Sequence, residues 1–180
     1  MDEVFLFNLK IGRNPLKIEL DFHDDYSGTY DILPNDLSAK LEEFDLQLFE
    51  VYQKYSLCPA WDGYKMEWAF DNTGIEFSQV FMTKEQHEQF IDKLNTEYIP
   101  KYEELKNKII GNYDKMKANV ISMLEESFKD VPIKIKRRVP SKAKVEKSFQ
   151  LFIPAKPIKV DLTLNVAIRD EIEKKLSAIK

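Results

Sequence analysis

Leu37, Leu41, Phe44, Leu48, Val51 and Tyr55 recur at steps of 4, 3, 4, 3 and 4. That alternation is a heptad pattern, the narrow apolar seam of a helix packed lengthwise on another helix. Pro34 precedes Asn35 and Asp36, either of which serves as the expected cap, and Pro59 is the expected close. A second stripe, Leu105, Ile109, Tyr113, Met116, Val120 and Leu124, supplies the partner helix, running to about Phe128. Upstream of it, Thr83 with Gln86 forms a capping-box pattern that opens a helix with Phe90 and Leu94 as apolar positions. Pro100 lacks a donor and crowds the preceding turn, so the sequence predicts an end or a kink there. The predicted spine is a long antiparallel, coiled-coil-like helical pair, 36–57 and 83–128.

Strand signals lie on both sides of this spine. Residues 4–11 are rich in Phe, Val and Ile, and Leu16, Ile18, Leu20 and Phe22 alternate with Lys17, Glu19 and Asp21. With Gly12-Arg13-Asn14-Pro15 as the turn, these two segments are expected to form a hairpin, followed by a polar loop over 23–30. Short strands are expected at 65–70 and 75–81, 149–153 and 159–166. Ser141 caps an expected short basic helix at 142–148, and a last helix is expected at 168–179. The fold class is therefore α+β in one domain, 1–180, with β-rich elements at about 4–22, 65–81 and 133–166.

Charge is sorted along the chain. Residues 1–100 hold 8 Lys/Arg against 20 Asp/Glu, a net of −12; residues 101–180 hold 19 against 11, a net of +8. The densest basic run is Lys134, Lys136, Arg137, Arg138, Lys142, Lys144 and Lys147. Opposed fields of this kind close on each other, steer a charged partner or order copies head to tail. The run itself has three open readings: phosphate contacts to nucleic acid, docking on an acidic surface of the same or another molecule, or a solvated face. Trp61, Tyr64 and Trp68 form an aromatic cluster that acts either as a contact surface or as packing on the end of the helices.

Chemistry-bearing residues are few. Cys58 is the single cysteine, which excludes an internal disulfide and a four-thiolate metal site. It has no activating neighbour in sequence and reads as a small buried hydrophobe. Of two histidines, His23 sits beside Asp24 and Asp25 in a solvated turn, and His87 falls on the polar side of a helix start. Glycine-rich phosphate loops, HExxH and GxSxG are absent. No catalytic, cofactor-binding or metal residue is assigned, and no cofactor is expected. Met1-Asp2-Glu3 is not the start of a signal peptide, and no apolar run approaches the roughly 20 residues of a membrane helix. The expected setting is a reducing cytoplasm, bacterial or, for a phage-encoded chain, that of its host.

One stretch carries a family likeness. Asn72-Thr73-Gly74-Ile75-Glu76-Phe77 precedes an amphipathic helix, followed by Ile99-Pro100, a long helix with Asn112-Tyr113-Asp114, then Val139-Pro140-Ser141 and Phe149-Gln150-Leu151-Phe152 before a proline-rich tail. Over about half the chain, this order resembles an uncharacterised bacterial and phage family encoded beside MoxR-type AAA+ ATPases and von Willebrand factor A-domain proteins. The resemblance implies a protein that works by binding, as an adaptor or substrate-handling partner of an ATPase.

The expected function is thus a non-enzymatic interaction protein with a protein partner, an AAA+ ATPase or a second copy. Its candidate contact residues are the seven cations of the run with Trp61, Tyr64 and Trp68. Nucleic-acid binding through 134–147 is the alternative, and a phage-encoded inhibitor acting through its acidic first 100 residues is a further one.

Overall fold

In this computed structural model the described residues are 3–22, 26–60, 68–71, 73–129, 139–163 and 166–179. They form a mixed α+β architecture. Strands β1 (Val4–Phe7), β2 (Lys10–Gly12), β3 (Lys17–Phe22) and β4 (Tyr26–Asp31) precede helix α1 (Asn35–Lys54). Then come β5 (Cys58–Pro59), β6 (Trp68–Asp71), β7 (Gly74–Phe77), β8 (Val80–Thr83) and α2 (Lys84–Lys93). A π-helical turn, Leu94–Tyr98, leads into α3 (Ile99–Ser127), followed by α4 (Lys142–Ser148), β9 (Gln150–Phe152), β10 (Ile158–Lys159) and α5 (Val166–Ile179). One antiparallel sheet has the order β10-β1-β8-β5, a second β6-β7-β2-β9, and β3-β4 is a separate hairpin.

The expected N-terminal hairpin does not form. The 4–11 segment breaks at Asn8-Leu9 into β1 and β2, which enter different sheets, and β3 pairs with β4 instead. In the turn after β2, Leu16 adopts a left-handed φ of 56° with its N–H held by Asn14 Oδ1 at 3.0 Å, and the chain leaves β2 behind. The part of 23–30 that is described, Tyr26–Asp31, is a strand rather than a loop. Its Tyr and Thr residues suit a pleated surface, and the register sets Ile18 opposite Tyr30 and Leu20 opposite Gly28.

Helix α1 starts at Asn35 with Pro34 in the cap position; no side chain caps it, so neither Asn35 nor Asp36 fills the expected role. It ends at Lys54, and Pro59 belongs to β5. Leu37, Leu41, Phe44 and Leu48 are buried as the stripe requires, but Asp45 and Tyr52 are buried beside them, so the face is broader than a seam. Strands and helices share it. Tyr52 donates its hydroxyl to Ser78 O at 2.7 Å and lies near Phe7 O, while the Phe49 ring meets Phe77 at 5.0 Å between centroids. On the helical side, Phe44 meets Tyr98 and Tyr102, and Tyr52 meets Phe90.

The Thr83 capping box forms, with Gln86 N–H on Thr83 Oγ1 and Thr83 N–H on Gln86 Oε1. The helix does not stop at Pro100: α2, the π turn and α3 make 44 consecutive helical residues. The Ile99 N–H reaches back five residues to Leu94 O. Pro100 follows directly on this wider turn, and the helix continues past a residue that has no N–H to donate. None of the helices among the described residues is long and apolar enough to cross a membrane.

After Pro140, Ser141 Oγ accepts from Lys144 N–H and caps α4 at the expected place. The expected 159–166 strand shrinks to β10. Asp161 Oδ1 takes both the N–H and the hydroxyl of Thr163, a local turn that competes with the ladder. Helix α5 then starts at Val166, two residues before the expected 168. The main core joins β2, β3, β7, α1, the π turn and α3, whereas a smaller cluster lies between the β10-β1-β8-β5 sheet and α5.

Leu48 is fully buried in the main core. Leu48→Ala is expected to cost about 2–5 kcal/mol in urea or guanidinium titrations, by lost burial and the cavity left behind.

Candidate functional site

Three of the seven run cations are described, all on α4. Lys142 pairs with Asp114 of α3 at 3.6 Å. Lys144 and Lys147 instead line a cleft of about 470 Å³ between α4 and the β2 turn, together with Lys10, Arg13, Asn14 and Phe152. Lys134, Lys136, Arg137, Arg138, Trp61 and Tyr64 lie outside the described residues. Trp68 opens β6 opposite Phe77, and its side chain is likewise outside them.

The cleft exists because the β2 turn is tied to the end of α4. Asn14 N–H donates to Ser148 Oγ at 2.7 Å, and Ser148 Oγ donates to Val145 O at 2.6 Å. Beneath them Phe149 is buried and Tyr102 donates its hydroxyl to Gly12 O at 2.6 Å. Tyr113 does the same for Pro140 O just before α4. The helix that carries Lys144 and Lys147 is therefore anchored at both ends.

The cations are not equivalent. Lys10 Nζ donates to Thr73 Oγ1 at 2.7 Å and sits 3.5 Å from Asp71. The Thr73 hydroxyl and N–H on Asp71, helped by Lys10, hold that carboxyl below its ordinary range. Arg13 is 6% exposed and engages Asp45 of α1, 2% exposed, through Nη1 and Nη2 of its guanidinium. Burial pushes the Asp45 carboxyl up, with the hydrogen bond and charge of Arg13 opposing it. Lys144 and Lys147 are exposed, and neither ammonium has a carboxylate partner among the described residues. At the rim Phe152 keeps 50% of its surface exposed, its ring lying so close over Gly12 that a Cβ there would clash. On the far side of Arg13 a second cleft, about 570 Å³, is walled by Leu33, Leu41, Leu46 and the Lys17–Asp31 pair.

Sequence reasoning missed Lys10, Arg13 and Asp45. One signal was present: Asp45 falls four residues after Leu41 and three before Leu48, on the apolar stripe itself, where a lone acid demands a buried partner.

Of the reactive residues, His23 with Asp24 and Asp25 lies outside the described residues. Burial, reinforced by Glu171, pushes the Cys58 thiol up to about 11, away from thiolate formation. His87 is not a solvated surface residue as the sequence suggested. Its ring packs against Phe5 and edge-on against Phe7, and its Nε2 is buried without a hydrogen-bond partner. Burial lowers its pKa, with Glu88 pulling the other way. No cluster of three or more His, Cys, Asp or Glu side chains is placed to hold a metal ion among the described residues. The chain matches no family model, no curated protein and no solved structure, so its own geometry carries the functional argument.

Two outcomes follow from these charges. Asp45→Ala strands a buried guanidinium and should destabilise by about 3–5 kcal/mol in chemical denaturation, whereas Asp45→Asn, which keeps an acceptor, should lose less. His87 has a folded pKa below its unfolded value of 6.5. Its neutral ring therefore favours the folded state above that value, and the contribution is lost as pH falls through the folded pKa. Urea midpoints from pH 8 to pH 5 should fall more for the native protein than for His87→Phe; parallel curves would show that the ring does not titrate in this window.

Proposed function

We propose that the protein is a non-enzymatic interaction protein that takes an acidic segment of a protein partner into the cleft at α4. The observation that carries this reading is the pair Lys144 and Lys147, unmatched among the described residues, beside Lys10 and Arg13, which already have carboxylates. Two unmatched ammonium groups one helical turn apart suit one or two carboxylates. A long polyphosphate would meet Asp71 beside Lys10 at the same rim. In its specific form the reading makes the chain an adaptor or substrate-handling partner of an AAA+ ATPase, an assignment supported by the family resemblance over 73–158. The antiparallel, coiled-coil-like pairing of α1 with the long helix would serve as its stiff spine, and the contacts of Phe44 with Tyr98 and Tyr102 favour that arrangement.

One observation favours nucleic acid as a second reading. Phe152 offers an exposed ring at the lip of a cationic cleft, and single-strand binders pair aromatic stacking with backbone cations in this way.

Fluorescence anisotropy with an oligoglutamate peptide and with single-stranded DNA separates the two. The peptide should bind, and Lys144→Glu/Lys147→Glu should weaken it by about tenfold or more, about 1.4 kcal/mol. Sub-micromolar DNA binding at about 0.15 M salt, where screening already acts over about 8 Å, would favour the second reading if Phe152→Ala abolished it.

A further inference from the structure

The second cleft, on the far side of Arg13, differs from the one at α4 in its lining. At about 570 Å³ it has the size of a small-molecule site. Its walls come from the first half of α1, the turn after β2 and the chain around the end of β4. The apolar part of the lining is mostly leucine. Leu16 and Leu41 are buried, Leu33 is half-buried, and Leu46 keeps 51% of its surface exposed. A cleft of this kind suits a ligand with an apolar body.

Both walls are held in place by contacts within the chain. The Asp45 carboxylate accepts from Nη1 and Nη2 of Arg13, which ties α1 to the turn where the two border the cleft. On the turn itself Leu16 has a left-handed φ of 56°, which a bulky residue adopts only when its surroundings impose it. Those surroundings are Asn14 Oδ1, which accepts from Leu16 N–H at 3.0 Å, and Ile32 N–H, which donates to Leu16 O at 2.8 Å. Backbone strain of this kind concentrates where a chain clamps a ligand. A cleft already shaped in the free protein also loses little freedom on binding.

Charge selects among apolar ligands. Arg13 and Lys17 bring two positive charges to the lining, and Asp31, Glu42 and Asp45 bring three negative ones. Asp45 matches Arg13, and Asp31 matches Lys17 at 3.8 Å. Glu42 has no cation partner among the described residues. It lies one helical turn before Leu46 and three residues before Asp45. Its charge adds to burial in pushing the Asp45 carboxyl up, against the hydrogen bond and charge of Arg13. An anion in the cleft would therefore meet an uncompensated carboxylate, and a neutral molecule would gain nothing from it. We propose that this cleft binds a small organic ammonium ion, its apolar body packed on Leu33, Leu41 and Leu46 and its charged head paired with Glu42. The cleft shares Arg13 and Asn14 with the one at α4 but neither Lys144 nor Lys147. The inference is therefore independent of the function proposed above.

Three probes with one body and different heads test this: hexylammonium, hexanoate and hexanol, each titrated into the full chain at neutral pH with amide NMR shifts as the readout. Hexylammonium should shift the amides of Leu33, Glu42 and Leu46 to saturation, and hexanoate should bind about tenfold more weakly or worse, because like charges are brought together. Glu42 and Leu46 are both exposed, so substitutions there leave the fold intact. Glu42→Gln should lower hexylammonium affinity to that of hexanol, a loss of about two- to fivefold for an exposed ion pair. Glu42→Lys should reverse the order, with hexanoate the tighter ligand. Leu46→Ala should weaken hexylammonium and hexanol alike, whereas Lys144→Glu/Lys147→Glu should leave both unchanged. The proposal is overturned if hexylammonium gives no saturable shift, if hexanoate binds as well, or if Glu42→Lys keeps the original order. Shifts confined to amides around α4 would put the ammonium in the other cleft and overturn it too.

Discussion

Arg13 and Asp45 are buried together at the point where the β2 turn meets the middle of α1. Arg13 N–H also bonds Thr73 O at 3.0 Å, so one residue holds the β6–β7 turn through its backbone and α1 through its side chain. Two charges removed from water recover their solvation only in good geometry, and such a pair contributes little net stability compared with a well-packed apolar pair. What it contributes here is position. Shifting α1 by one residue would leave a guanidinium and a carboxylate buried and apart, a penalty added to the loss of packing. Both clefts beside Arg13 inherit their shape from this constraint.

Buried tyrosines perform a related task at the irregular joints. Tyr52 binds the carbonyl of Ser78, Tyr102 that of Gly12 and Tyr113 that of Pro140, each where a strand ends or the chain has no regular partner. A buried carbonyl without a donor is costly, so these hydroxyls allow sheets, turn and α4 to sit directly against the helices. The sorted charge has a structural counterpart too: Lys159 with Glu3 joins the basic and acidic portions, while Lys144 and Lys147 remain turned outward.

Helices were legible where the evidence for them is local. The stripe on α1, the Thr83–Gln86 box and the Ser141 cap depend on residues within a few positions of each other, and all three form. Strand partners were not legible, because pairing depends on where distant segments meet. The sequence 4–11 has the composition of one strand, yet its halves serve two sheets, and Leu16 in a left-handed conformation leaves no compositional trace. The same limit applied to the site. The basic run pointed to Lys144 and Lys147, but their cleft is completed by Lys10 and Arg13, more than 130 positions away in the chain from Lys144.

The π turn at Leu94–Tyr98 acts as a phase corrector for the long helix. Phe90, Leu94, Tyr98 and Tyr102 are buried at successive steps of four, and at about 100° per residue such steps drift round an ideal α-helix by about 40° each. The wider turn absorbs that drift, so aromatic residues on either side of Pro100 address one continuous core. It also makes the segment a single-residue gear. Removing one residue from this turn would restore ideal winding and rotate everything beyond it by about 100°. Tyr102 would leave Gly12, Tyr113 would leave Pro140, and α4 with its two outward lysines would lose its seat, although no residue of the cleft had changed.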